Sequence, residues 1–301
     1  MSLEERVQQL KLERDAIILA HYYVPAEVQR VADFVGDSYA LAKRAMAAPQ
    51  KVIVFAGVHF MGESAKILNP EKTVLVPELA ADCPMAHMVS PEKIEEVRGA
   101  YEDLAVVCYI NSTAEIKAHS DVIVTSANAL KVVRALPEKN IFFVPDENLG
   151  RFIAAQLPEK NFILNEGHCH VHAGLSRERL LEEMERHPQA EVLAHPECTA
   201  EILELAHYIG STSGIINYAT EAEGEEFIIC TEEGVAYELR EKNPHKTFHF
   251  MDGGPICPDM KLITLEKLLH SLETMEPAME MDEDKMARAK APLERMLELA
   301  K

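Results

Sequence analysis

Cys83, Cys169 and Cys257 recur at intervals of 86 and 88 residues. Each stands just beyond an apolar, strand-like run: TVLVPELAADC, NFILNEGHC and TFHFMDGGPIC. A second series keeps the same beat at other strand ends. His21 follows AIILA, Tyr109 follows LAVVC and His195 follows EVLA, in steps of 88 and 86. A repeat with reactive groups at one phase constrains the chain to three related α/β units, pointing three thiols and three polar loops at one centre. Three thiolates around one point make a metal or cluster site.

The rest of the pattern supports βαβ units. Val- and Ile-rich runs occur at 16–20, 51–57, 73–77, 104–110, 121–126, 140–145, 161–164, 191–195, 226–230 and 247–250. They are apolar at successive positions, as in strands covered on both faces of a parallel sheet. Between them lie helical segments: VQRVADFVGDSYALAKRAM, STAEIKAHS, ANALKVVRAL, SRERLLEEMERH and TAEILELAHY. Such alternation predicts right-handed crossovers. The final stretch, from ITLEKLLHSLETM to KMARAKAPLERMLELAK, reads as helix broken near Pro277 and Pro292 and packed back on the first unit. The predicted fold is α/β, with three similar parallel-sheet domains at 1–83 plus 265–301, 84–170 and 171–264.

Charge and cysteine usage exclude whole classes of function. A formal charge of −20 is the wrong sign for a phosphate backbone or an anionic membrane. No apolar run reaches the roughly eighteen residues of a membrane span. The N-terminal MSLEERVQQLKLERDA is a charged amphipathic helix without a signal-peptide core. These features predict a cytoplasmic protein, in which six cysteines are thiols, ligands or catalysts rather than a disulfide framework.

The cysteines divide by context. Cys83 (DCPMAH), Cys169 (NEGHCHVH) and Cys257 (GPICPD) lie in polar loops, as ligands do. Cys108 (VVCYI) and Cys230 (FIICT) read as small core hydrophobes. Cys198 (HPEC) has no in-phase partner and reads as a non-ligand. Two metals fit the trio. A Cys₃His zinc site would draw its histidine from His168, His170 or His172, although the paired knuckle usual for zinc is missing. An iron–sulfur cube needs one thiolate per iron, so three cysteines leave one iron open as a Lewis acid.

Polar groups gather at the same strand ends. Tyr23 and Glu197 are candidate proton-transfer groups beside His21 and His195. Tyr109 and Asn111 can orient an anionic ligand without adding charge. Ser38 (VGDS), Ser126 (TSAN), Ser211 and Thr212 (GSTSG) each precede a helical pattern. There a hydroxyl caps the helix or holds a carboxylate or phosphate. Lys261 is a further source of local positive charge, whereas Lys117 is expected on a solvated helix face.

In sum of motifs the chain resembles the quinolinate synthases, iron–sulfur enzymes of de novo NAD biosynthesis. The resemblance rests on ILAHYY, VADFVGDS, FMGESAKILNP, CPMAH, YINSTAEIKA, TSANA, GHCHVH, HPEC, GST and CPDMKLITL, in that order over nearly the whole chain. It implies three α/β domains related by pseudo-threefold symmetry, with the active site at their junction. It implies condensation of iminoaspartate with dihydroxyacetone phosphate to quinolinate, with loss of phosphate and two waters. A [4Fe–4S] cluster would be held by Cys83, Cys169 and Cys257. Tyr23, His195 and Glu197 would be catalytic, and His21, Ser38, Tyr109, Asn111, Ser126, Ser211 and Thr212 would bind substrate. The enzyme supplying iminoaspartate is an implied candidate partner. Two departures stand out: the closely spaced cysteine triplet of some members is missing, and HYY replaces HNY, putting Tyr22 at the expected pocket edge. The competing readings are another iron–sulfur hydro-lyase acting on a small polycarboxylate, or a non-catalytic zinc-stabilised metabolite-binding protein.

Overall fold

The same four-strand plan is built three times along the chain. A computed structural model describes residues 1–251 and 254–301; Asp252 and Gly253, inside TFHFMDGGPIC, lie outside the described residues. The first sheet contains β1 (Ala16–His21), β2 (Phe34–Gly36), β3 (Val52–Ala56) and β4 (Thr73–Leu75). The second contains β5 (Leu104–Tyr109), β6 (Val122–Val124), β7 (Asn140–Val144) and β8 (Asn161–Leu164). The third contains β9 (Glu191–Ala194), β10 (Tyr208–Ile209), β11 (Glu226–Cys230) and β12 (Thr247–His249). The spatial orders are β2-β1-β3-β4, β6-β5-β7-β8 and β10-β9-β11-β12. Pairing within the sheets is parallel throughout. The predicted fold class is therefore observed.

Strand order explains where the functional groups lie. In each sheet the first and third strands are neighbours at the point where the order reverses. Loops leaving their carboxyl ends part to opposite faces and open a crevice. His21 ends β1, Tyr109 ends β5 and His195 follows β9. The fourth strand of each sheet leads toward a cysteine loop.

Burial follows the pleat. In the third sheet Val192, Ala194, Ile228 and Cys230 pack into one apolar cluster with Cys198, while Leu193, Phe227 and Ile229 pack into another on the opposite face. This is the period-two alternation of a sheet covered on both sides. Cys108 is fully buried in the cluster shared by the first two units. The three cysteines expected to be non-ligands are thus core residues.

Four local expectations are revised. The segment expected as one helix over 28–46 splits into helix Ala26–Val31, β2 and helix Ser38–Ala47. Asp33 draws the chain into the sheet, its carboxylate accepting from Ile18 N–H at 2.9 Å, and Asp37 caps the second helix. β10 similarly interrupts TAEILELAHY. Pro292 does not break the last helix, which runs Glu283–Leu299 through it. An internal proline costs about 3 kcal/mol, offset by a buried stripe of Ala289, Leu293 and Met296. Lys117 is fully buried rather than solvated. Its short helix (Ala114–Ala118) lies against helices His59–Leu68 and Glu283–Leu299. The ammonium donates to the Ser112 carbonyl at 2.5 Å and sits 5.3 Å over the Phe60 ring.

The C-terminal segment divides its packing. Helix Leu265–Thr274 lies on helix Leu3–Glu13 and β3, whereas Glu283–Leu299 covers helix Ala114–Ala118 and β6. Between them, Met279 N–H donates to Val74 O and Val76 N–H to Pro277 O, covering the edge of β4. No helix among the described residues is long and apolar enough to cross a membrane.

Candidate functional site

One cavity is lined from all three units. His21, Tyr23 and Ser38 reach it from the first, Tyr109, Asn111 and Ser126 from the second, and His195, Glu197 and Thr212 from the third. Cys83, Cys169 and Cys257 line the same cavity. Of the expected site residues only Ser211 is outside this lining; its hydroxyl caps helix Thr212–Glu221, accepting from Gly214 N–H at 3.2 Å. Tyr22 also turns away and packs with Leu193, Ile215 and Phe227.

The two histidines share a local device. His21 Nδ1 accepts the backbone N–H of Tyr23 at 3.2 Å, and His195 Nδ1 accepts that of Glu197 at 3.3 Å. With Nδ1 used as an acceptor, the neutral ring carries its proton on Nε2. His195 accordingly donates from Nε2 to Ser126 Oγ at 3.1 Å. Burial drives both imidazoles down to about 3, because a charged ring would lose its hydration and its Nδ1 contact.

Glu197 is the hub of the site. Its Oε2 lies 2.7 Å from His172 Nδ1 and 3.7 Å from His195 Nδ1, and Tyr109 hydrogen-bonds the same carboxyl group. Burial is the largest single influence and would raise this carboxyl group, but His172, His195 and the Tyr109 hydrogen bond together outweigh it and hold Glu197 below the usual carboxylate range. His172 Nε2 continues to Thr231 Oγ1 at 2.9 Å, Thr231 to the Tyr23 hydroxyl at 2.8 Å, and Tyr23 to Thr212 Oγ1 at 2.7 Å. Burial and the nearby Glu197 charge raise the phenols of Tyr23 and Tyr109, so both stay protonated. A carboxylate base and two phenol donors are therefore joined in one network.

The three thiols line the cavity together, where they could hold a metal centre. Burial pushes Cys257 up to about 11 and raises Cys83 and Cys169 as well, with Glu197 adding repulsion at the latter two. Backbone N–H groups of Ala86, His172 and Met260 favour the thiolates without overcoming burial; a cationic metal centre would supply the rest. Cys169 Sγ, His172 and Glu197 present ligand atoms within 4.8 Å of one another. Each cysteine backbone is also pinned by a carboxylate. Cys83 N–H donates to Asp82 at 2.7 Å, Cys169 N–H to Asp146 at 3.2 Å and Cys257 N–H to Glu232 at 3.0 Å.

Asp146, Glu232, Thr231 and the hub role of His172 are absent from the sequence reading. Asp146 and Glu232 were nevertheless detectable: they lie 86 residues apart, just beyond β7 and β11. Lys261 does not supply free charge, since it pairs with Glu232 at 2.7 Å and donates to Tyr23 O at 2.8 Å. Among the described lining residues there is no Lys or Arg. Anionic groups must be met there by hydroxyls, imidazole N–H, backbone N–H and metal. Asn111 Oδ1 and Thr125 Oγ1 are buried without a partner and line this cavity, leaving polar atoms for a ligand to satisfy.

Known proteins resemble this chain over nearly its whole length. A family model described as quinolinate synthetase A protein matches residues 5–298. The quinolinate synthase of Fusobacterium nucleatum is 53% identical over 298 residues, covering 99% of both chains. That of Clostridioides difficile is 49% identical, covering 99% of this chain and 98% of its own. Quinolinate synthase 1 of Methanosarcina acetivorans is 48% identical, covering 98% and 97% respectively.

Proposed function

This chain belongs to the quinolinate synthase family, and we propose that it condenses iminoaspartate with dihydroxyacetone phosphate to quinolinate at the three-sheet junction, releasing phosphate and two waters. It is an enzyme of NAD biosynthesis. The observation that carries the reading is the convergence of Cys83, Cys169 and Cys257 with the Glu197 network on one cavity. The domains divide as 1–83 with 265–301, 84–170 and 171–264; helix Leu265–Thr274 supports this by packing on the first unit, whereas Glu283–Leu299 rests mainly on the second. The free cysteines support a cytoplasmic setting. The charge of −20 favours small-molecule partners over nucleic acid or anionic membrane.

Cys83, Cys169 and Cys257 hold a [4Fe–4S] cluster in this reading. His172 is already bonded through both nitrogens, to Glu197 and Thr231, which favours the cube over a Cys₃His zinc site. When bound, the cluster supplies an open iron as Lewis acid for oxygen that must leave. The chain does the rest. His21 offers an Nε2–H to anionic substrate oxygen, and Ser126, which accepts from His195, turns its own O–H toward the ligand. Ser38, Asn111 and Thr212 hold carboxylate and phosphate groups. Glu197 takes protons during isomerisation and ring closure, and Tyr23 and Tyr109 return them. Anaerobic incubation of the iron-loaded protein with iminoaspartate and dihydroxyacetone phosphate tests this reading. Quinolinate is expected; its absence from fully loaded protein refutes the assignment.

A further inference from the structure

At the far end of the third sheet, two histidines converge on one carboxylate oxygen. His187 closes helix Arg177–Arg186, its N–H donating to Glu183 O at 2.9 Å. Glu226 opens β11 and His249 ends β12. Ile228 pairs with His249 in register, and residues two apart share a sheet face. His249 therefore lies diagonally from Glu226 on that face. His187 Nδ1 and His249 Nε2 are each 2.9 Å from Glu226 Oε1. The two rings stack with centroids 3.5 Å apart at 21°. All three ligand atoms fall within 4.8 Å of one another.

We propose that His187, Glu226 and His249 form a second metal site, for a divalent transition ion of the zinc class, separate from the cysteine-lined cavity. Two imidazoles with one carboxylate are the donors that zinc takes, whereas magnesium and calcium require oxygen and iron–sulfur clusters thiolate. Tetrahedral bonds near 2.05 Å separate neighbouring ligand atoms by roughly 3.3 Å, so each imidazole nitrogen needs to move only a few tenths of an ångström from Glu226 Oε1. A further feature fits ligation. With His187 bound through Nδ1, its Nε2–H faces Glu183 Oε2 at 3.8 Å. Glu183 is itself buried and held by Arg186 at 2.8 Å. A carboxylate behind a histidine is the outer support common at metal sites. The three side chains are 20–33% exposed, leaving room for a water as fourth ligand.

The site joins a helix end, the start of an inner strand and a three-residue edge strand that leads toward Cys257. Metal there stabilises the third unit by mass action and lies at the opposite end of β11 from Thr231 and Glu232. It is independent of the reaction assigned above.

The test uses the anaerobic, iron-loaded enzyme dialysed against zinc chloride. Metal analysis should find one zinc per chain beyond the iron. Zinc K-edge absorption should show only nitrogen and oxygen neighbours near 2.0 Å, with imidazole scattering and no sulfur near 2.3 Å. His249→Ala and Glu226→Gln should abolish this zinc and its rise in melting temperature while keeping the iron. Glu183→Gln should weaken binding about 10- to 100-fold. Sulfur in the zinc shell, or equal zinc affinity in wild type and both ligand variants, overturns the proposal. Glu226→Gln preserves size and can still accept hydrogen bonds, so it separates lost ligation from lost folding.

Discussion

Glu197 Oε2 and His172 Nδ1 are 2.7 Å apart, with both side chains under 5% exposed. His172 sits one turn after Cys169 on the short helix His170–Ala173, and its Nδ1 is 3.3 Å from the Cys169 sulfur. The candidate general base is thereby tied to a candidate cluster ligand through one imidazole. Glu197→Gln keeps the shape but removes the base, and it leaves His172 without its anionic partner. Its kcat should fall about 10²- to 10⁴-fold at unchanged iron content. An unaltered kcat would remove Glu197 from proton transfer.

Carboxylates anchor the cysteine loops. Asp146 is fully buried and accepts from both Leu149 N–H at 2.8 Å and Cys169 N–H at 3.2 Å. Asp146→Ala leaves buried N–H groups unpaired, each costing about 1–3 kcal/mol. Chelator should strip iron faster from this variant than from wild type, with Asp146→Asn intermediate because its amide oxygen still accepts. Identical stripping rates in all three proteins would show that the anchor does not hold the ligand loop.

Much of this is legible in the sequence alone. The beat of roughly 87 residues located three units, three cysteines and the polar strand ends, because parallel strands buried on both faces leave continuous apolar runs. β2 and β10 escaped because three and two residues are too few to show a period. The expectation of a solvated Lys117 fails because local pattern cannot reveal that helix Glu283–Leu299, distant in sequence, covers its helix. Glu232 was passed over for a similar reason: its partners, Lys261 and Cys257 N–H, come from beyond β12.

Substrate anions should depend on Ser126. Its hydroxyl accepts from His195, so Ser126→Ala removes both a ligand contact and the orientation of the imidazole. KM should rise with iron content unchanged. Ser126→Asp should be worse, since it adds a like charge where anions bind. Equal kcat/KM for wild type and Ser126→Asp would exclude this subsite.

Stability should fall with acidification in a defined window. His21 and His195 titrate near 3 when folded and near 6.5 when unfolded. Between those values the unfolded chain binds more protons, so the favourable contribution is complete above about pH 6.5 and is lost as pH drops toward 3. Each ring contributes a slope of up to about 1.4 kcal/mol per pH unit. Urea titrations between about pH 7 and pH 5 should give a shallower pH dependence for His21→Gln than for wild type. Superimposable dependences would mean that His21 is not held neutral.

In the function proposed above, Cys83, Cys169 and Cys257 alone hold a four-iron cube whose remaining iron faces the substrate cavity. Mössbauer spectra of protein loaded anaerobically with ⁵⁷Fe measure this most directly. The prediction is a 3:1 pattern in which only the minority iron shifts on adding quinolinate. Cys83→Ser, Cys169→Ser and Cys257→Ser should each lose most of the signal, while Cys108→Ser, Cys198→Ser and Cys230→Ser keep it. Four equivalent irons indifferent to quinolinate, or a cluster that survives Cys169→Ser but not Cys198→Ser, would contradict it.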